Sequence, residues 1–347
     1  MTSNGNFAGA IRQLCEKARK SLGRLKRTLF SEIVNIRLYL DFFDKLIAPI
    51  FLYGCEIWGA YTISPQKCIG RDDISGYFKT EFEKLHLSFL KYTLGVNSKA
   101  CNIAVLSELG AYPYSLKIMK SVCKNWHRII NSDSREILYD AYKCNVELMS
   151  SNNSTWLNSI KTTMSLISCN DIWNNGGDEY GEFSPSLVEK LLKEKFILQW
   201  QSDFSKQAYP DKKLRTYSKF KSEFKLEKYL TVLKNLNERK NLTRLRISAH
   251  NLNIEKGRHR RPVKVPIDER ICDSCLEVED EIHYVVNCQK FREARNRLFD
   301  TLSKFIVDFD HLSPENKFMK LMKCDEIEII WQFTKFISET VKIRGTL

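Results

Sequence analysis

Long apolar runs are scarce in this 347-residue sequence. The most apolar stretch, Leu46 to Tyr53, is eight residues long and follows Asp44 and Lys45. Roughly 20 apolar residues are needed to span a bilayer. The N-terminal residues Met1-Thr2-Ser3-Asn4-Gly5-Asn6 lack the apolar core of a secretory signal. These absences predict a soluble intracellular protein, nuclear or cytoplasmic, with no membrane partner. The glycine-rich loops GxGxxG and GxxxxGKS/T are also missing, which removes the usual backbone cradles for dinucleotides and nucleoside triphosphates. No Ser/His/Asp or Cys/His pair stands out as a nucleophile with its base. Asp72-Asp73 is the one adjacent acid pair to weigh for catalysis. A catalytic pair would sit on a tight hairpin between apolar strands, whereas Gly70-Arg71 and Ile74-Ser75-Gly76 flank this one. It reads as a solvated loop.

What is present is the composition of an ordinary globular protein, 43% hydrophobic and 28% charged. Lys and Arg number 55 against 42 Asp and Glu, a formal charge of +13 that suits a polyanionic partner. The eleven cysteines are odd in number. Cys15, Cys55, Cys68, Cys101, Cys123, Cys144, Cys169 and Cys324 are scattered, most among apolar residues, and read as free thiols in a reducing compartment.

Helical periodicity dominates, so the expected fold class is mainly α. Phe7, Ile11, Leu14, Ala18, Leu22, Leu25 and Leu29 recur at steps of three and four, the apolar stripe of a first helix. Its other side carries Arg12, Lys17, Arg19, Lys20, Arg24, Lys26 and Arg27 against one acid, Glu16. Further helices are expected over 33–47, from Phe82 to Gly95, and over 101–109 and 113–131. Another opens at Ser184-Pro185, where a capping residue precedes Pro at the first helical position, and runs through Leu187, Leu191, Phe196 and Trp200. Residues 62–79 read as a loop or insertion and 170–182 as a linker. A last helix takes Ile327, Ile330, Phe333, Ile337 and Val341.

The strongest chemical signal is Cys272, Cys275, His283 and Cys288, a C-x2-C-x7-H-x4-C array. Three thiolates and one imidazole are a zinc set, and four protein ligands leave no open position for catalysis. The expectation is a structural Zn2+ clip. Just before it, residues 239–264 carry Arg239, Lys240, Arg244, Arg246, Lys256, Arg258, Arg260, Arg261 and Lys264 against Glu255 alone. Such a patch suits contact with a phosphate backbone. Leu242, Leu245, Ile247 and Leu252 give the segment an apolar side.

Taken in order, several stretches resemble the C-terminal part of a non-LTR (LINE-type) retrotransposon reverse transcriptase. They are Ala48-Pro49-Ile50-Phe51-Leu52-Tyr53-Gly54-Cys55-Glu56-Ile57-Trp58-Gly59, Phe89-Leu90-Lys91-Tyr92-Thr93-Leu94-Gly95-Val96 and Ser107-Glu108-Leu109-Gly110-Ala111-Tyr112-Pro113. Leu242-Thr243-Arg244-Leu245-Arg246-Ile247-Ser248-Ala249-His250, Glu255-Lys256-Gly257-Arg258-His259 and the Cys/His array complete the set. The resemblance implies a thumb-like helical region over 5–110 that grips a primer–template duplex, and a helical linker over 111–235. It further implies a basic segment with a CCHC zinc knuckle over 236–300, and a helical tail over 301–347.

The partners implied are RNA and/or DNA, with the polymerase palm or the element's own RNA as further candidates. Arg12, Arg19, Lys20, Arg24, Lys26 and Arg27 would meet a duplex backbone. Arg239, Lys240, Arg244, Arg246, Arg258, Arg260 and Arg261 would meet RNA or DNA beside the clip. The family's Phe/Tyr-x-Asp-Asp motif and its distant Asp, which hold two magnesium ions, are missing, as is an endonuclease domain. The expectation is therefore a nucleic-acid-binding fragment without polymerase activity of its own. Its rivals are a host-retained protein-interaction module and one end of a complete RNA-directed DNA polymerase.

Overall fold

The computed structural model describes residues 7–28, 35–71, 74–133, 136–151, 155–176, 184–209, 211–260, 262–345 and 347. The chain is mainly helical, as its periodicity predicts, and contains no strand among the described residues. Two isolated bridges, Leu109 with Leu226 and Ile271 with Val278, are the β pairings present there. No helix among the described residues is long and apolar enough to cross a membrane. All eleven cysteines are free thiols.

The chain divides into two compact units. One comprises Met1–Leu29, Leu40–His86 and Tyr112–Asp203; the other comprises Phe30–Tyr39, Leu87–Ala111 and Phe204–Leu347. Neither is one continuous segment.

In the first unit the helix Ala8–Thr28 buries Ile11, Cys15, Ala18 and Leu22, the centre of the expected stripe. Arg12, Arg19, Lys20, Arg24 and Arg27 stay exposed, and Lys26 is half-buried. The next helical stretch differs from a plain helix over 33–47. An α-turn over Ile36–Phe42 widens into a π-turn over Phe43–Ile47 before Ala48–Leu52 resumes the α form. Pro49, with no N–H to donate, follows directly on the widened turn.

The helix Cys55–Thr62 then lies against Tyr114–Ile130 so closely that only glycine fits at position 59. A Cβ there would meet Ile118 Cγ2 at 2.4 Å and Val122 Cγ2 at 2.9 Å. The segment 62–79 is more ordered than its polar composition suggests. It forms a short helix, Pro65–Cys68, and a 3-10 turn, Ile74–Lys79, that buries Ile74, Gly76 and Tyr77. Its organiser is the remote Gln199. The Gln199 amide donates to the carbonyls of Cys68 (2.6 Å), Ile69 (3.2 Å) and Arg71 (2.6 Å), and its oxygen accepts from the Tyr77 hydroxyl at 2.9 Å. A lone polar side chain far along the chain gives no local periodic signal, which is why the turn reads as a loop. The pair Asp72-Asp73 lies outside the described residues.

The helix Pro185–Ser205 belongs to this unit up to Asp203, but its buried ridge is Val188, Leu192, Phe196 and Trp200. Leu187 and Leu191, expected to lead the stripe, sit half-buried beside it. The i, i+4 spacing back from Phe196 decides the face.

The second unit is built on Leu236–Arg246, Arg292–Leu302, Pro314–Lys323 and Ile327–Arg344. Leu242, Leu245, Ile247 and Leu252 are fully buried in it, joined by Ile330, Phe333 and Ile337 of the last helix. Burying four such aliphatic side chains is worth about 1.5–3 kcal/mol each before chain entropy is charged against it. That core fixes the register of the basic segment and, through it, the Cys/His loop.

Candidate metal centre

Cys272 and Cys275 lie in a short loop closed by the Ile271–Val278 bridge. The Glu277 carbonyl accepts from the Cys272 N–H at 2.7 Å, and the Cys272 carbonyl accepts from the N–H groups of Cys275 (3.3 Å) and Leu276 (2.9 Å). Leu276 takes a left-handed φ of 58° to complete the turn. The x4 spacing of the second pair has its own local reason. His283–Asn287 is a π-turn, and the Cys288 N–H donates to the His283 carbonyl at 2.8 Å across five residues. The Asp280 carboxylate caps the start of that turn, accepting from the His283 N–H at 2.8 Å.

These two local structures bring one ligand atom from each of Cys272, Cys275, His283 and Cys288 within 4.8 Å of one another. The Sγ of Cys288 lies 3.9 Å from that of Cys272 and 3.8 Å from that of Cys275. Sulfurs bonded as a disulfide would be about 2.05 Å apart. Ligands at about 2.3 Å from a tetrahedral ion would instead be roughly 3.8 Å apart along each edge. The observed spacing is the second kind.

His283 supports the same conclusion. Its Nδ1 donates to a Glu277 carboxylate oxygen at 3.1 Å, while Nε2 is buried with no hydrogen-bond partner. A carboxylate fixing the tautomer and leaving the other nitrogen bare is the usual support of a metal-ligating histidine. Cys272, His283 and Cys288 are buried and Cys275 is half-buried, so all four positions face inward. Burial, reinforced by the neighbouring Cys272, pushes the Cys288 thiol up to about 12. A bound cation reverses that preference and takes the thiol as thiolate. The donor set therefore fits a metal ion, and the cluster could hold one as a closed, non-catalytic site.

Two acids between the ligand pairs tie the loop to distant segments. Glu281 is buried and accepts from Arg215 Nη2 (2.6 Å), Ser248 Oγ (2.8 Å) and His250 Nε2 (2.9 Å). Glu279 accepts from the Asn253 N–H at 2.7 Å and pairs with Arg344. Arg215 also meets Glu255 at 3.2 Å. Sequence inspection missed these anchors because their partners lie up to 66 positions away. Gly257 has a similar hidden reason. A Cβ there would meet the Arg270 side chain at 2.7–2.8 Å, and Arg270 uses that clearance to donate to the carbonyls of Val265 and Ile254.

The basic segment splits in two. Arg246 is only 1% exposed, its Nη2 3.0 Å from Glu108 Oε1 and 2.8 Å from Glu227 Oε2. Arg239 is likewise buried. Neither reaches solvent, so the expectation that they meet phosphates is corrected: the helix Leu236–Arg246 turns both into the protein, where acids from other segments neutralise Arg246. Arg258 is largely spent as well, donating to Glu255 at 3.1 Å and to the carbonyls of Asp211 and Lys212. Lys240 and Arg244 are half-buried, Lys256 and Arg260 are exposed, and Arg261 lies outside the described residues. On the first helix, Arg19 faces Glu81 at 3.6 Å, both side chains about half exposed, and a pair that wet is worth little.

No protein-family model, curated protein or solved structure matches the chain.

Proposed function

We propose that the chain is a zinc-stabilised, helical nucleic-acid-binding fragment of a non-LTR reverse transcriptase, supplying grip and not chemistry. The observation that carries this reading is a Cys3His cluster next to exposed basic side chains, Lys256 and Arg260, that have no side-chain partner among the described residues. Zinc is the ion assigned because thiolates with one imidazole in a closed tetrahedral set favour it over magnesium or calcium. The cations left free after the buried pairs are counted suit phosphates, which give affinity without base readout. The order of the segments quoted above supports the family assignment. Glu108 and Arg246, from two of those segments, are paired in the interior, which gives the pattern a structural reason.

The test is direct. Purified chain should carry one zinc per molecule by elemental analysis and bind RNA or DNA oligonucleotides with a log–log salt slope of about −0.7 per single-strand phosphate neutralised. A folded, zinc-loaded chain with no affinity for any oligonucleotide at low salt would refute the reading.

A further inference from the structure

Beside the metal cluster, within the second unit, lies a cavity of about 680 Å³. Five basic side chains converge on it from three segments: Lys99, Lys213, then Lys256, His259 and Arg260. Lys256 and Arg260 are exposed and have no side-chain partner among the described residues. The acids in the wall do not cancel them. Glu255 is 3% exposed and already engaged by Arg215 and Arg258, and against the two exposed acids of the lining, Glu269 and Asp273, stand Lys99, Lys213, Lys256 and Arg260. Arg270 also lines the wall, but its guanidinium is held by backbone carbonyls. Burial and the Lys213, Arg258 and Lys99 charges push the His259 imidazole below its ordinary value, in line with a positive local potential. Ser248, His250 and Asn251 add polar groups to the lining.

We propose that this cavity is a phosphate site for single-stranded nucleic acid, with Lys256 and Arg260 holding a backbone phosphate and Lys99 and Lys213, which also line it, adding positive charge. The volume is that of a pocket for one small ligand, a size that admits a nucleotide unit of a flexible strand. A duplex presents its phosphates on a rigid, wide cylinder and would bridge the rim. Convergent cations suit a phosphate better than a neutral ligand, and Ala249, Val265 and Ile271 supply the apolar part of the lining. The assignment rests on the nucleic-acid reading above and adds to it the strand form and the residues.

The experiment is fluorescence anisotropy with a labelled single strand and the matching duplex, for wild type and Lys256→Ala/Arg260→Ala. Both positions are exposed and have no side-chain partner among the described residues, and unchanged circular dichroism and zinc content will show that folding is not at stake. The double variant should lose roughly tenfold to a hundredfold in single-strand affinity, and its salt slope should shrink by about 0.7, the share of the one phosphate the two side chains hold. Duplex affinity should stay within about twofold of wild type. Unchanged single-strand affinity and slope overturns the cavity while leaving the wider reading intact. An equal loss on duplex overturns the single-strand assignment. If wild type binds neither strand but binds inorganic pyrophosphate by calorimetry, the cavity takes a free anion, and both the strand assignment and the nucleic-acid reading fall.

Discussion

Arg246 is the residue at which a surface reading and a core reading of the basic segment part most sharply. Its guanidinium makes hydrogen bonds at 3.0 and 3.1 Å to the two oxygens of Glu108 and at 2.8 Å to Glu227, and it also donates to the Met322 carbonyl. Its planar group lies 4.9 Å from the Phe220 ring centre and 5.0 Å from that of Tyr229. Arg246→Met keeps much of the volume and removes the charge. Glu108 is then left fully buried with the Tyr229 hydroxyl at 2.6 Å as its remaining close partner, while Glu227 keeps Lys221.

Breaking a buried pair from one side costs about 3–5 kcal/mol, because an uncompensated charge stays inside. At an m-value near 2 kcal/mol/M that is a fall of about 1.5–2.5 M in the urea midpoint, a large share of a typical 5–15 kcal/mol total. Adding Glu108→Gln to Arg246→Met should recover part of the loss, since the stranded carboxylate goes with the guanidinium, while Glu227 is left in place as the partner of the buried Lys221. Burial works against the Glu108 carboxylate, but Arg246 and Lys221 outweigh it and hold its pKa below the ordinary value. The stability Glu108 contributes is therefore present above its unfolded value of about 4.3 and is lost as pH falls through the lowered folded one. Urea unfolding followed by circular dichroism reads the effect. An Arg246→Met protein that unfolds like wild type but binds nucleic acid more weakly would refute the reasoning, because it would place the guanidinium on the surface.

Other consequences are simpler to state. If the cluster holds an ion, chelation or Cys272→Ser should expose the segment 252–300 to proteolysis, and added zinc should restore protection to the chelated wild type alone; a digestion pattern indifferent to chelator contradicts a structural ion. Gly257→Ala should lower the thermal unfolding midpoint by an amount equivalent to about 1–3 kcal/mol, as the new methyl drives Arg270 off its carbonyl partners; a neutral result would mean that Arg270 moves freely. Glu189 accepts from Lys120 at 2.5 Å and Lys193 at 2.7 Å, bonds that hold its carboxyl down at about 2. Glu189→Gln should cost no more than about 1 kcal/mol at neutral pH, and the gap between variant and wild type should narrow as pH falls from about 4.3 toward 2. A gap that widens on acidification reverses the sign and rejects the pairing.

The helices were legible because burial writes a period into the chain. The first helix, the Tyr114–Ile130 helix and the last helix all bury residues that recur at steps of three and four. The four candidate ligands were legible for a related reason: each pair is local, one in a tight turn and one across a π-turn, so its spacing survives in the sequence. What sequence hides is long-range neutralisation. Arg246 looks the same on paper as Arg260, yet its acids stand 138 and 19 positions away. Gln199 reaches back 128 to 131 positions to order a turn that looks like a loop. Counting charge along a segment finds the basic stretch but cannot say which of its cations are already spent.

That distinction also bears on what the Cys/His cluster is for. Glu279 and Glu281 lie between the two ligand pairs, and both reach the segment that walls the cavity. Glu279 accepts from the Asn253 N–H with its side chain and from the Ile254 N–H with its carbonyl, at 2.7 and 3.1 Å. Glu281 holds Ser248 and His250, and Asn253 donates in turn to the carbonyl of Ile271, the residue just before the first ligand. An ion held by the four side chains would thus fix the loop that fixes Ser248, His250 and Asn253, all of which line the cavity. If the cavity takes a phosphate as proposed, its basic groups would need no metal of their own to attract it. They would need a rigid wall to converge from, because holding long side chains in one arrangement costs entropy that a loose loop would add to. A closed site with no open coordination position would suit that task better than it suits chemistry.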